Sequence, residues 1–149
     1  MCDLESLRKA YQKLEQSLHG FNPEDCDWFM EGLHKLSQAY ASPIICDFAF
    51  QEPEPLYCLE LFAKSGFKDL PINYLLEALK SKDEDQVYSA ALSLALLDQE
   101  EGIQVLKLFA EERHPLQKNI HPKADLVADL KFLDPSIQAR VLNSKTENK

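Results

Sequence analysis

Leu4, Leu7, Tyr11, Leu14 and Leu18 step along the chain by three and four residues, which gathers them on one stripe of a helix. His19-Gly20 follows as a stop, because glycine takes the left-handed conformation past a helix end without steric cost. The stripe is too short for a coiled-coil seam, so it reads as a core-facing side. Asn22-Pro23-Glu24-Asp25 opens the second helix, with asparagine as cap, proline at the first helical position and acids at the positive end of the dipole. That helix turns Phe29, Met30, Leu33, Leu36 and Tyr40 inward and ends before Ser42-Pro43. The short join between the two implies an antiparallel hairpin. Residues 44–50 are apolar and fit a strand or a buried helix; helix is preferred because no second strand exists to pair with them.

Gln51-Glu52-Pro53-Glu54-Pro55 breaks the pattern. Leu56, Leu59, Phe62 and Ala63 then define a helix closed by Ser65-Gly66, and Leu70-Pro71 opens another through Ser81 that buries Leu75, Leu76 and Leu79. Lys82-Asp83-Glu84-Asp85 is a tight turn in which Asp83 or Asp85 caps a helix carrying Val87, Ala90, Ala91, Leu94 and Leu97. A further helix over 99–112 carries Ile103, Leu106 and Phe109. A connection with His114-Pro115 and His121-Pro122 at its two ends precedes closing helices over 123–133 and 135–142. The pattern predicts an all-α chain of eight or nine helices in antiparallel pairs. Residues 1–142 are expected to form one helical domain, and the polar tail 143–149 to be disordered.

Two similar leucine-rich segments, residues 75–79 and 105–109, lie about 30 residues apart, with a weaker echo at 45–49. That period suits a helix pair in an α-solenoid, where each unit buries its apolar face on its neighbours. Residues 70–110 resemble a HEAT-like repeat on Leu76, Leu79, Asp83, Asp85, Val87, Ala90, Ala91 and Leu94. The resemblance implies a HEAT-like α-solenoid; without it the same helices make an irregular helical bundle. In the family pattern the small pair Ala90 and Ala91 lets the second helix lie close against the first. The arginine that usually follows the valine position is replaced by Tyr88 and Ser89.

Composition narrows the chemistry. The 149 residues carry 45% hydrophobic and 28% charged side chains, an ordinary globular balance with material for a full core. No apolar run approaches the roughly 18 residues of a membrane span, and the opening residues lack the apolar stretch of a signal peptide, so a cytoplasmic protein is expected. Cys2, Cys26, Cys46 and Cys58 are widely spaced, and three are embedded in apolar helical patterns as small hydrophobes. Cys26 stands near a helix start that would lower its pKa, but Glu24, Asp25 and Asp27 oppose that. No CxxC or HExxH occurs, and His19, His34, His114 and His121 lie in separate segments. Some HEAT-like enzymes hold iron through His-Glu pairs; here the histidines precede Gly, Lys, Pro and Pro, which removes that reading. No GxSxG, Walker loop or GxGxxG is present either. The expectation is a non-enzyme without cofactor or metal.

Acids outnumber bases by 25 to 16, a net charge of −9. Nucleic-acid binders concentrate lysine and arginine, so neither a nucleic-acid nor a membrane partner is expected, and the basic concave surface of the HEAT-like DNA glycosylases has no counterpart here. A basic protein partner fits the charge, although acidity for solubility alone would look the same. Glu52, Glu54, Asp83, Glu84, Asp85, Asp98, Glu100 and Glu101 recur at inter-helix turns, where they would line one rim of a solenoid or serve as helix caps. Trp28 is the single tryptophan; because Phe29 fits the apolar stripe better, Trp28 is either partly buried or an interface anchor. With Tyr88, these residues (Asp98 apart) are the candidate partner-binding set. They suggest a non-catalytic protein-binding module of the immunity-protein type that blocks a basic, nuclease-like toxin. The alternative is a secretion chaperone or assembly adaptor that holds an apolar peptide in an inter-helix groove.

Overall fold

The computed structural model describes residues 3–117 and 123–142. Among them are nine α-helices, two short 3-10 turns and no strand. By contact the chain divides into two compact units, Met1–Pro71 and Ile72–Lys149, and each is described by itself. The expected C-terminal tail lies outside the described residues, as do Cys2 and His121.

The first unit holds α1 (Leu4–Gln16), α2 (Asp27–Ala39), α3 (Ser42–Phe50) and α4 (Pro55–Lys64). Asp3 caps α1 by accepting the Ser6 amide at 2.9 Å. Ser6 Oγ meets Tyr40 Oη at 2.5 Å near one end of the first pair, and Trp28 Nε1 donates to Ser17 Oγ at 3.1 Å near the other. Both ends are therefore tied, and α1 and α2 run antiparallel as expected. The second helix starts later than Asn22-Pro23 implied. Pro23–Asp25 forms a 3-10 turn, Asn22 makes no side-chain cap, and α2 begins at Asp27 with Cys26 at its cap position.

A buried lysine explains where that turn docks. The Lys64 side chain is fully covered and pairs with Glu24 at 3.3 Å and Glu60 at 2.8 Å, while Tyr57 Oη donates to Glu24 at 3.2 Å. Stranding either charge there would cost several kcal/mol, so the 3-10 turn is held onto α4. Tyr11 sits at the centre of the apolar core, with ring centroids 4.8 Å from Phe48 and 6.2 Å from both Phe29 and Phe62. Gly66, at φ 112°, ends α4, and the Gly66 and Phe67 amides return to Ala63 and Phe62.

The second unit holds α5 (Ile72–Ala78), α6 (Glu84–Leu96), α7 (Glu100–Ala110), α8 (Lys123–Asp129) and α9 (Pro135–Leu142). Helix α5 stops short of Ser81. Ser81 Oγ instead accepts the Asp83 amide and donates to Gln86, which draws the chain into the turn before α6. Only Leu75 of the three expected core leucines of this helix is fully covered; Leu76 and Leu79 are half-buried. Asp83 is the cap, its carboxylate accepting the Asp85 amide at 2.9 Å. From Val87 to Leu96 every residue of α6 is buried, which its small and apolar sequence permits.

Helices α6 and α7 pack closely at Gly102. A Cβ on Gly102 would stand 2.6 Å from the Ala91 carbonyl oxygen and 2.9 Å from the Ala95 amide nitrogen, and would also strike Leu94. The small residues of α6 thus accommodate the helix that follows. Asp98 makes the bend at φ 59°, and the Asp98 and Gln99 amides bond back to Ala95 and Leu94. Tyr88 Oη donates to Asp129 at 2.6 Å, tying α6 to α8.

Candidate functional site: a carboxylate-rimmed cavity and the acidic turns

The acids of the second unit do not form one edge. Asp83 and Asp85 stand at the start of α6, whereas Asp98, Glu100 and Glu101 stand past its end. Thirteen residues at about 1.5 Å each separate the two groups by about 20 Å along the helix. Asp98 and Glu100 are also neutralised in part by Arg140 of α9, which donates to both, and Gln104 donates to Glu100. Two candidates are inaccessible. Glu84 is 5% exposed and Tyr88 3%, so neither meets a partner in this conformation. The polar neighbours of Glu84 in sequence suggest a solvated turn acid, but the first turn of α6 points it inward. Tyr88 packs edge-on against Phe109 at 5.4 Å and is spent on the core. Asp83, Asp85, Glu100 and Glu101 remain exposed.

The first unit offers a more concentrated arrangement. A cavity of about 260 Å³ opens among α1, the 3-10 turn, α2, the α3–α4 loop and α4. Its lining includes Glu15, Glu52 and Glu54 together with Tyr11, Tyr57 and Cys58, and it contains no lysine, arginine or histidine. Glu52 and Glu54 belong to the expected set, and the structure brings them together with Glu15, which sequence reasoning left out. Glu15 lies off the apolar stripe of α1, and nothing in its local sequence separates it from a solvated face.

The electrostatics follow from this lining. Burial raises the Glu15 carboxyl above its ordinary value, and the neighbouring Glu52 raises it further. Burial raises Glu52 as well, against the opposing pull of Arg8. That arginine is not part of the lining; its guanidinium donates to Glu5 and Gln51. Deeper in, burial pushes the Tyr11 hydroxyl and the Cys58 thiol strongly upward, and the two share a hydrogen bond. Both stay neutral in water near pH 7, so the cavity's negative charge is carried by its carboxylates.

Cys26, Cys46 and His114 have structural surroundings. Cys26 is buried, and burial with Asp25 and Asp27 raises its thiol, so the helix start does not activate it. Cys46 is only half-buried, its Sγ 3.6 Å from the Asp69 carbonyl oxygen. His114 stacks on Phe109 at 4.5 Å and accepts the Leu116 amide at Nδ1, and burial lowers its pKa. Among the described residues no three of His, Cys, Asp and Glu converge as a metal site requires, and no helix is long and apolar enough to cross a membrane.

The aromatic candidate, Trp28, is not part of the cavity lining. Trp28 is 51% exposed and Phe21 65%, in the corner between α1 and α2. Phe21 was not singled out in the sequence, where it falls between a stop signal and a start signal. Comparison with family models, curated proteins and solved structures finds no match for this chain.

Proposed function

We propose that this chain is a non-catalytic protein-binding module that engages a basic protein, as an immunity-type inhibitor engages a nuclease-like toxin. The observation that carries this reading is the cavity of the first unit, which Glu15, Glu52 and Glu54 line with no cation among the lining residues, in a chain of net charge −9. An acidic face accelerates encounter with a basic partner and disfavours acidic ones. The half-exposed Trp28 and Phe21 supply the aromatic area that anchors protein interfaces. The HEAT-like reading of residues 70–110 belongs to the same proposal, supported by the acidic turn capped at Asp83 and the buried alanines of α6.

The test is affinity capture from the source cell with the parent chain and with a Glu15→Lys/Glu52→Lys/Glu54→Lys bait. The reading expects a basic protein retained by the parent at low salt, released at high salt, and ignored by the reversed bait. A partner held equally by both baits and at high salt would instead favour an adaptor that grips an apolar peptide.

A further inference from the structure

We infer that the corner between α1 and α2, where Phe21 and Trp28 stand exposed, is the contact surface for an arginine-bearing segment of a basic protein partner. This deepens the function proposed above and rests on it. Both rings are more than half exposed, and their exposure does not come from a loose chain. The Trp28 indole N–H donates to Ser17 Oγ at 3.1 Å, and the Phe21 amide donates to the carbonyl of Leu18, the next residue, at 2.8 Å. The two aromatics are thus tied to consecutive residues at the end of α1. Between them in sequence, Glu24 pairs with the buried Lys64, and Cys26 is buried. A surface held this way loses little freedom on binding, which favours rigid aromatic anchors.

The chemistry of the rings comes next. The one polar atom of the Trp28 side chain is already used on Ser17, so the exposed part of its ring is carbon. Covering that carbon removes apolar surface from water, and tryptophan is the ring that holds a guanidinium best.

Charge selects the occupant. From Gly20 to Leu33 the sequence contains Glu24, Asp25, Asp27 and Glu31 and no lysine, arginine or histidine. Asp25, Asp27 and Glu31 are exposed, and no hydrogen bond or ion pair engages their carboxylates among the described residues. Asp27 precedes Trp28, and Glu31 stands one helical turn beyond it on the same face of α2. A second copy docked ring to ring would set these acids against their own kind, and an anionic membrane would meet the same repulsion. A basic segment instead covers the rings and neutralises the acids. Arginine does both in one side chain, stacking on the indole while its fork meets a carboxylate.

Trp28 is the only tryptophan, so its fluorescence reports on this surface directly. The probe is a blocked hexapeptide of alternating arginine and leucine, titrated into the full chain. The same peptide with citrulline in place of arginine, and vesicles of phosphatidylcholine with phosphatidylglycerol, are run beside it. The proposal expects a saturable blue shift of the emission with the arginine peptide and none with the other two. Asp27→Asn/Glu31→Gln and, separately, Phe21→Ala should each keep the parent's melting transition and weaken the peptide about tenfold. Glu101→Gln/Glu112→Gln should leave its affinity as in the parent. Absence of a shift, an equal shift with citrulline, or parent-like affinity in either weakened variant would overturn the proposal. A shift with vesicles would overturn it in favour of a membrane surface, and a shift that grows with the concentration of the chain alone in favour of a second copy. The two readings fail separately. A Phe21→Ala/Trp28→Ala bait that still retains the basic partner removes this surface and leaves the protein-binding module standing, whereas a parent bait that retains no basic protein removes the module whatever the peptide does.

Discussion

Single residues carry strains that their sequence neighbours do not announce. Ser93 Oγ is buried within α6 without a hydrogen-bond partner among the described residues. An unsatisfied buried hydroxyl costs stability that a methyl group does not, and alanine is also the better helix former. Ser93→Ala is expected to raise stability by about 1 kcal/mol in a denaturant melt; a loss would show that the hydroxyl has a partner in solution. Glu112 ends α7 at φ 56°, with the Glu112 and Arg113 amides bonding back to Phe109 and Leu108. The same bend is made by glycine at Gly66. Glu112→Gly should therefore gain about 0.5–1 kcal/mol, because the left-handed conformation strains any side chain with a Cβ. Neither position is legible from sequence: a serine among leucines reads as a tolerated polar residue, and a glutamate after a helix reads as surface charge.

The helices themselves were largely legible, because each stripe of leucines and aromatics repeats at the helical period. Leu7, Tyr11, Phe29, Leu33, Leu59, Phe62, Ile103, Leu106 and Phe109 are all buried as that spacing predicts. What the period could not supply was the start of α2, because Pro23 suits a 3-10 turn as well as a first helical turn. It also leaves open how closely the helix that follows approaches α6. The close approach is made by Gly102 of α7, a glycine inside a helical pattern and thus a signal that was available. Gly102→Ala should cost about 1–3 kcal/mol, since backbone atoms of α6 must shift to admit a Cβ. Ala91→Glu should abolish the cooperative melt of the second unit, because it buries an uncompensated charge in the same contact. Thermal melts by circular dichroism read both, and a parent-like melt for Ala91→Glu would contradict the packing described for α6.

At the scale of the molecule, the chain's acidity was evident but its arrangement was not. The cavity is assembled from Tyr11, Glu15, Glu52 and Tyr57 across three stretches of sequence, and only the fold of the first unit brings them together. Its carboxylates leave a mark on stability. Glu15 and Glu52 are both more basic in the folded chain, so folding takes up protons near their titration. The penalty is absent below their ordinary value of 4.5 and sets in as pH rises through the folded values. Glu15→Gln/Glu52→Gln should therefore be more stable than the parent at neutral pH, by less than about 1 kcal/mol because both groups are partly exposed and screened. Melts across pH should show that advantage vanishing below the carboxylate range; an advantage that grows toward acid would reverse the sign argued here.

The central claim is that this charge serves encounter with a basic protein. Long-range attraction acts before contact and is screened over about 10 Å at 0.1 M salt, whereas short-range packing is not. The decisive measurement is the association rate of the captured basic partner across ionic strength, for the parent and for Glu52→Gln/Glu54→Gln. The parent should associate more slowly as salt rises while its dissociation rate changes little, and the variant should start slower and depend on salt less steeply. An association rate that ignores salt and is the same in parent and variant would contradict the account.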